Sequence, residues 1–259
     1  MKILVTGGAG FIGSHLCERL IDLNHKVTIL DDFSTGNISN LTSIKNNKNL
    51  KMIQGSILDE SLVTKLISNV DGLFHLAASV GVTKVLEDPI SSMLINIRGS
   101  EIVMKTAANR GIPAIIASTS EIYGKNMKMP LREDSDRILG SPLVARWSYS
   151  ESKAIDESLS HALHISKRWP VKIVRFFNTT GPRQSSEFGM VLPRFIKACL
   201  SDSPLIIYGN GKQKRTFCHV DDAISGLLAL WNSDSGFGEA FNLGGLEEVS
   251  ILSLAKRVI

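Results

Sequence analysis

Cysteine is scarce and unpaired in this sequence: Cys17, Cys199 and Cys218 are odd in number, and none stands in a CxxC spacing. That excludes a disulfide framework and a zinc knuckle and leaves buried thiols as the expectation. The six histidines do not look like ligands either, because His161 and His164 lie three apart with no second pair to complete a site; no metal is expected. Long apolar runs are missing as well. None approaches the roughly 18 residues that span a bilayer. The chain opens at once on a strand-like Lys2-Ile3-Leu4-Val5-Thr6 instead of a targeting segment, which predicts a soluble, cytoplasmic protein without membrane contact. Nor does one charge dominate: 29 basic against 25 acidic residues leave +4, scattered along the chain, so nucleic acid is not an expected partner.

What is present is a folding composition, 43% hydrophobic and 21% charged over 259 residues, enough for one large α/β domain or a large domain with a smaller one. Short aliphatic runs at 3–6, 26–30, 50–54, 72–76 and 114–118 alternate with helical patterns, the first marked by Ile12, Leu16, Leu20 and Leu23. This is the βαβ pattern of a doubly wound parallel sheet. The stretch 35–49 reads as a loop or a short irregular helix. Pro89 opens a long helical pattern that Gly111 closes, residues 124–147 are irregular, a helix runs from 148 to about 167, and a strand follows at 171–177. Beyond that the alternation loosens among Gly and Pro, which predicts a main domain over 1–177 and a smaller lobe over 178–259, with some strands and helices returning to the main domain. Ser250 suits the N-cap of a helix marked by Ile251, Leu254, Ala255 and Val258, expected to expose its apolar face where the chain stops, as in a C-terminal fragment, with an ordinary terminal helix as the alternative.

Between the first strand and first helix stands Thr6-Gly7-Gly8-Ala9-Gly10-Phe11-Ile12-Gly13. Small residues at Gly7, Gly10 and Gly13 let the turn close and bring backbone N–H groups, with the positive end of a helix, against a pyrophosphate. Glycines also make ordinary turns, so the context carries the reading. Asp31 ends the second strand where an acid accepts hydrogen bonds from an adenosine ribose, with Asp32 and Ser34 beside it. An acid there repels a 2′-phosphate and no neighbouring Arg welcomes one, so NAD is expected as cofactor rather than NADP.

A Tyr and a Lys four apart occur twice, at Tyr149/Lys153 and Tyr208/Lys212. The second pair encloses Gly209-Asn210-Gly211, a turn, whereas the first falls on a helix and shares one face. Ser118-Thr119-Ser120 ends the fifth predicted strand, where open α/β sheets place ligands, although Ser and Thr also cap and turn chains. A free Tyr titrates near 10. A cation about 4 Å away contributes on the order of 4 kcal/mol at an effective dielectric of 20, so Lys153, helped by the positive nicotinamide ring, is expected to hold Tyr149 as a phenolate that takes a proton from a sugar hydroxyl oriented by Thr119.

These motifs, with HLAA at 75–78, NIRGS at 96–100, STSEIYG at 118–124, YSESK at 149–153, RFFNTTGPRQ at 175–184 and RTFCHVDD at 215–222, resemble the extended short-chain dehydrogenase/reductase superfamily. Within it they resemble the NAD-dependent nucleotide-sugar epimerases, dehydratases and decarboxylases. The resemblance implies a Rossmann-type fold and a substrate-binding second lobe. It also implies a cofactor pocket that includes Leu76, Ala77, Ala78 and Ser118 beside the glycine-rich turn, Tyr149 and Lys153, with Asn96 shaping it through backbone bonds. Asn178 and Arg215 match residues that hold the substrate's diphosphate, and a homodimer through the helices at 89–109 and 148–167 is implied. Where many relatives have Gly-Asp-Ile, this chain has Gly55-Ser56-Ile57, which leaves adenine contact to a hydroxyl and to Ile57. Dehydratases carry Asp-Glu after the Thr; Ser120-Glu121 here instead resembles decarboxylases and epimerases. A UDP-sugar 4-epimerase working through a transient 4-keto sugar is the first expectation, and a UDP-glucuronate decarboxylase the alternative. A third reading is a protein of the same fold that binds NAD as a regulator, or associates with RNA, without turnover; the complete set of Thr119, Tyr149 and Lys153 speaks against it.

Overall fold

The computed structural model describes residues 1–80, 88–187 and 189–259. β1 (Lys2–Thr6) buries Ile3, Leu4 and Val5 completely. α1 (Phe11–Asp22) follows and packs Leu16, Cys17 and Leu20 inward. Next come β2 (Lys26–Asp31), β3 (Leu50–Gln54), α2 (Glu60–Ile67), whose N-cap Asp59 accepts from the Leu62 N–H, and β4 (Gly72–His75). α3 (Pro89–Leu94) passes through a π-helical turn, Ile95–Gly99, into α4 (Ser100–Asn109); β5 (Ala114–Thr119), α5 (Ser148–Lys167) and β6 (Val171–Phe176) complete the first half. The remainder holds β7 (Thr179–Thr180), α6 (Val191–Leu200), β8 (Lys214–Thr216), β9 (Cys218–His219), α7 (Val220–Asn232), β10 (Ala240–Leu243), β11 (Glu248–Ser250) and α8 (Ile251–Val258).

Seven strands form one parallel sheet in the order β10-β6-β5-β4-β1-β2-β3. The chain winds outward from β1 to β3, then resumes on the other side of β1 with β4. This reversal leaves a crevice at the carboxyl ends of β1 and β4. Alternating side chains feed two cores: Ile3 and Val5 join Leu16, Leu20 and Phe74 on one face, while Leu4 joins Leu73, Val103 and Trp169 on the other.

The second half divides its elements between two places. Val220, Ile224 and Leu227 of α7 sit in the core on the α1 face, and β10 adds the last strand beside β6. α6, α8 and the β8–β11 pair instead enclose a small core of their own around Phe195, Val249, Ile251 and Leu254. The sequence reading of α8 is corrected here. Its apolar face is not exposed, because Ile251, Leu254 and Ala255 pack against that small core, and Ser250 caps the helix by accepting from the Ser253 N–H. Among the described residues no helix is long and apolar enough to cross a membrane, and no group of three or more His, Cys, Asp or Glu could hold a metal ion.

Candidate active site

A cavity of about 570 Å³ lies along the carboxyl ends of the strands. Gly7, Gly10, Phe11, Ile12 and Gly13 form one wall. Gly7 takes a left-handed φ of +72°, and a Cβ there would stand 2.7 Å from the Ala77 nitrogen. A Cβ on Gly13 would run into the Gly7 carbonyl oxygen and come within 2.8 Å of the Gly8 Cα. Both glycines therefore let backbone meet backbone, and α1 starts without a side-chain cap, so its first N–H groups stay available to an anion. Asp31 closes the far side of this wall. Its Oδ2 accepts from the Ala9 N–H at 2.8 Å and its Oδ1 from the Phe33 N–H at 2.9 Å, which fix the carboxylate against the turn. Burial raises its pKa, and those two N–H bonds oppose the rise. Asp32, Ser34 and Ile57 also line the cavity, as do Leu76, Ala77 and Ala78.

Three predicted site residues do not reach it. Ser56 uses its hydroxyl to accept from the Leu58 N–H at 3.2 Å, a turn of its own backbone. Ser120 opens the short 3-10 helix Ser120–Tyr123 and is absent from the lining. Asn96 is buried in the π-helical turn, where it accepts from the Ser79 N–H at 2.7 Å and donates to the Ser79 carbonyl at 3.1 Å; it shapes the cavity by holding Ser79, which does line it. His75 is fully enclosed, with Nδ1 2.7 Å from Thr6 Oγ1 and Nε2 3.0 Å from Ser100 Oγ, a satisfied core imidazole.

The other half of the cavity carries Ser118, Thr119, Glu121, Tyr149 and Lys153. Thr119 Oγ1 accepts from the Glu121 N–H at 3.2 Å, so the cap role holds and the hydroxyl keeps its proton to donate. Lys153 is 1% exposed and pairs at 3.1 Å with Asp156, itself 1% exposed. Asp156 adds to the surroundings of Tyr149 an acid that the phenolate expectation did not count. Burial pushes the phenol up, Lys153 pulls it down, and Asp156 and Glu121 push it up again, leaving it above the ordinary value. Asn178 and Arg215 line the opposite side; Asn178 donates to the Thr216 carbonyl at 2.9 Å, and Arg215 to the Lys214 carbonyl at 2.8 Å. Tyr208 and Lys212 lie away from all this on the surface, with the Tyr208 hydroxyl accepting from Arg194 at 3.3 Å.

A nucleotide-sized crevice between a glycine-rich turn and a Tyr–Lys helix thus exists in one continuous cavity. The family model for the NAD dependent epimerase/dehydratase family matches residues 3–244. The chain belongs to this family. Its cofactor is NAD, and it is an NAD-dependent enzyme of nucleotide-sugar chemistry. Among proteins of this kind it is 39% identical to the UDP-N-acetyl-alpha-D-glucosaminuronate decarboxylase of Bacillus cytotoxicus, over 99% of this chain and 79% of that one. It is 33% identical to UDP-glucuronic acid decarboxylase 1 of Arabidopsis thaliana, of whose length it spans 58%. The solved UDP-glucuronic acid 4-epimerase of Bacillus cereus, in complex with UDP-glucuronic acid and NAD, superposes with a TM-score of 0.90 at 34% identity, covering 100% of this chain and 82% of that one.

Within this family framework, sequence reasoning missed four side chains. Asp156 was legible as an acid three residues after Lys153 on a helix, the spacing at which side chains meet. Arg183, inside the RFFNTTGPRQ motif, lines the cavity and ties it to α1, donating to Ser14 Oγ at 3.2 Å and to Glu18 at 2.6 Å. Burial works against the Glu18 carboxylate, but Arg183 and Ser43 hold its pKa below the ordinary value. Glu157 and Arg175 form a buried bidentate pair at 2.9 and 2.7 Å, and Glu157 also accepts from Ser118 at 2.5 Å. This pair joins α5 to the end of β6 and sets the strand end from which Thr119 projects. No local spacing announces it, because its partners come from different elements.

Proposed function

We propose that this enzyme oxidises C4 of a UDP-sugar and returns the hydride to the opposite face of the transient 4-keto sugar, a 4-epimerisation. The observation that carries the reading is the placement of Thr119, Tyr149 and Lys153 on the same cavity as the glycine-rich turn and Asp31. In this reading Gly7, Gly10 and Gly13, with the N–H groups of Phe11 and Ile12, hold the pyrophosphate of NAD. Asp31 accepts from the adenosine ribose beside Asp32 and Ser34, while Ile57, Leu76, Ala77, Ala78 and Ser118 cover the rest. Lys153 reaches the second ribose, and Asn178 and Arg215 grip the diphosphate of the sugar nucleotide. NAD, when bound, supplies the acceptor for the hydride from C4. Thr119 orients the O4 hydroxyl and Tyr149 takes its proton as the C4–H bond breaks, so the sugar gives up a hydride (two electrons and one proton) from C4 and a second proton from O4, and regains both on the return.

A second reading is decarboxylation, favoured by the 39% identity to a uronate decarboxylase and by Glu121 on the cavity wall, 3.4 Å from Arg146. The 4-ketone of a uronate is β to its carboxylate; breaking C5–C6 releases carbon dioxide, leaves the electron pair as an enolate, and a proton at C5 completes the step. Incubation with UDP-glucuronate labelled at the carboxyl carbon separates the two. Epimerisation gives an isomer of unchanged mass and no labelled gas; labelled carbon dioxide with a UDP-pentose transfers the assignment to the decarboxylase.

A homodimer is part of the same proposal. Ile90 and Leu94 on α3 are 73% and 55% exposed and Ile155 on α5 is 45% exposed, an apolar stripe across two adjacent helices suited to a second copy. Sedimentation is expected to give a dimer at micromolar concentration, and Ile90→Lys with Leu94→Lys a monomer; a parent that sediments only as monomer refutes it.

A further inference from the structure

Lys153 does not present an uncompensated charge to Tyr149. Asp156, one turn further along α5, receives its ammonium at 3.1 Å, and both side chains are closed off from solvent. A buried pair of this kind contributes little net stability, because desolvation offsets the attraction. Its electrostatic effect on a neighbour is large, because the surroundings screen poorly.

The remaining groups around the pair are neutral or already matched. His75, packed from β4, is neutral, since burial and then Lys153 lower its pKa to about 3. Ser100 of α4, against His75 Nε2, carries no charge. Glu157 on α5 is held by Arg175 of β6 at 2.7 Å. Glu121 stands at the exposed mouth with Arg146 at 3.4 Å. Tyr149 therefore faces Lys153, whose pull is the larger, and Asp156, which opposes it in part.

We infer that Asp156 is a counterion that makes ionisation of Tyr149 conditional on an oxidised nicotinamide beside it. The inference rests on Tyr149 as the base at the NAD site. With the pull of Lys153 partly offset and the phenol buried, it keeps its proton in the empty cleft and releases it when one further positive charge lies against it. The same arrangement keeps the buried charges balanced across the reaction. Before transfer, the Tyr149 phenolate offsets the cationic ring. Once a bound ring had accepted the hydride and Tyr149 Oη the O4 proton, both would be neutral, and the Lys153–Asp156 pair carries no net charge in either state. Asp156 acts through Lys153 and Tyr149, so it is a positioning residue of the charge pattern and touches no reacting atom.

The chain has three tyrosines, Tyr123, Tyr149 and Tyr208, so carbon-13 at Cζ gives three resonances, with Tyr149→Phe assigning the relevant one. In the parent enzyme, NAD⁺ is expected to lower the pH at which Tyr149 titrates and NADH to leave it unchanged; equal shifts with both forms overturn the inference. In Asp156→Asn without cofactor, Tyr149 titrates about one pH unit lower than in the parent. In the same variant NAD⁺ binding weakens about tenfold relative to NADH binding, while Asp156→Glu restores both. A folded Asp156→Asn with unchanged titration and an unchanged NAD⁺-to-NADH ratio refutes the counterion role, and Asp156→Ser supplies the same readouts if the Asn variant does not fold. Failure of the parent to bind either nicotinamide would instead defeat the NAD-site reading, which keeps the two failures apart.

Discussion

Phe in place of Tyr149 is expected to lower turnover of the UDP-sugar by about 10²–10⁴-fold while NAD binding stays close to the parent's. The side chain lines the cavity beside Lys153, and the substitution removes only the hydroxyl. Tyr208→Phe is the control: that residue is 67% exposed and its hydroxyl accepts from Arg194 on the surface, so turnover should be retained. The parent's pH profile carries the same signature. Burial raises the phenol and Lys153 opposes it, so the phenolate fraction grows with pH, and kcat/KM for the oxidative half should rise from acid toward neutral and alkaline pH. A Tyr149→Phe enzyme of undiminished activity, or one disabled only by Tyr208→Phe, would place the base elsewhere.

Gly13→Ala is expected to abolish NAD binding and to lower Tm. The added methyl meets the Gly7 carbonyl oxygen and the Gly8 Cα, both backbone, so relief requires the turn or α1 to move. The same shift displaces the N–H groups at the start of α1 that are proposed to hold the pyrophosphate. Gly111→Ala separates this from a general loss of stability. Its φ of +65° strains a non-glycine residue by about 1 kcal/mol, but its Cβ meets nothing within 4 Å and the site is remote. It should lower Tm and keep the cofactor. Calorimetric titration with NAD and a thermal melt check both variants; tight NAD binding by Gly13→Ala would contradict the close-packing account of the turn.

The legible parts of this protein are those whose signals are local. The strands at 3–6, 26–30 and 50–54 fall within β1, β2 and β3, because aliphatic runs bounded by turn residues report burial directly. Helix α5, expected from 148 to about 167, runs Ser148–Lys167. Gly13 and Tyr149 could be placed because each sits in a short motif at a strand end or on a helix face. Legibility fails where partners come from afar. Glu157 and Arg175 are 18 positions apart and meet only because α5 packs against β6. Likewise Arg183 reaches Glu18 across 165 positions. The surroundings of Tyr149 were incompletely read for a related reason: the cation at Lys153 was counted without its counterion at Asp156. α8 was misjudged because its apolar face was read without the partners, Phe195 and Val249, that cover it.

Reversible oxidation at C4 with the hydride kept inside the enzyme is the core of the proposed reaction. A UDP-sugar carrying deuterium at C4 tests it most directly, through NMR and mass spectrometry of the product. Slowed turnover, a product that retains the deuterium at C4, and no accumulation of reduced nicotinamide are expected. Deuterium lost to water, or a 4-keto sugar released with one equivalent of reduced nicotinamide left behind, would contradict it.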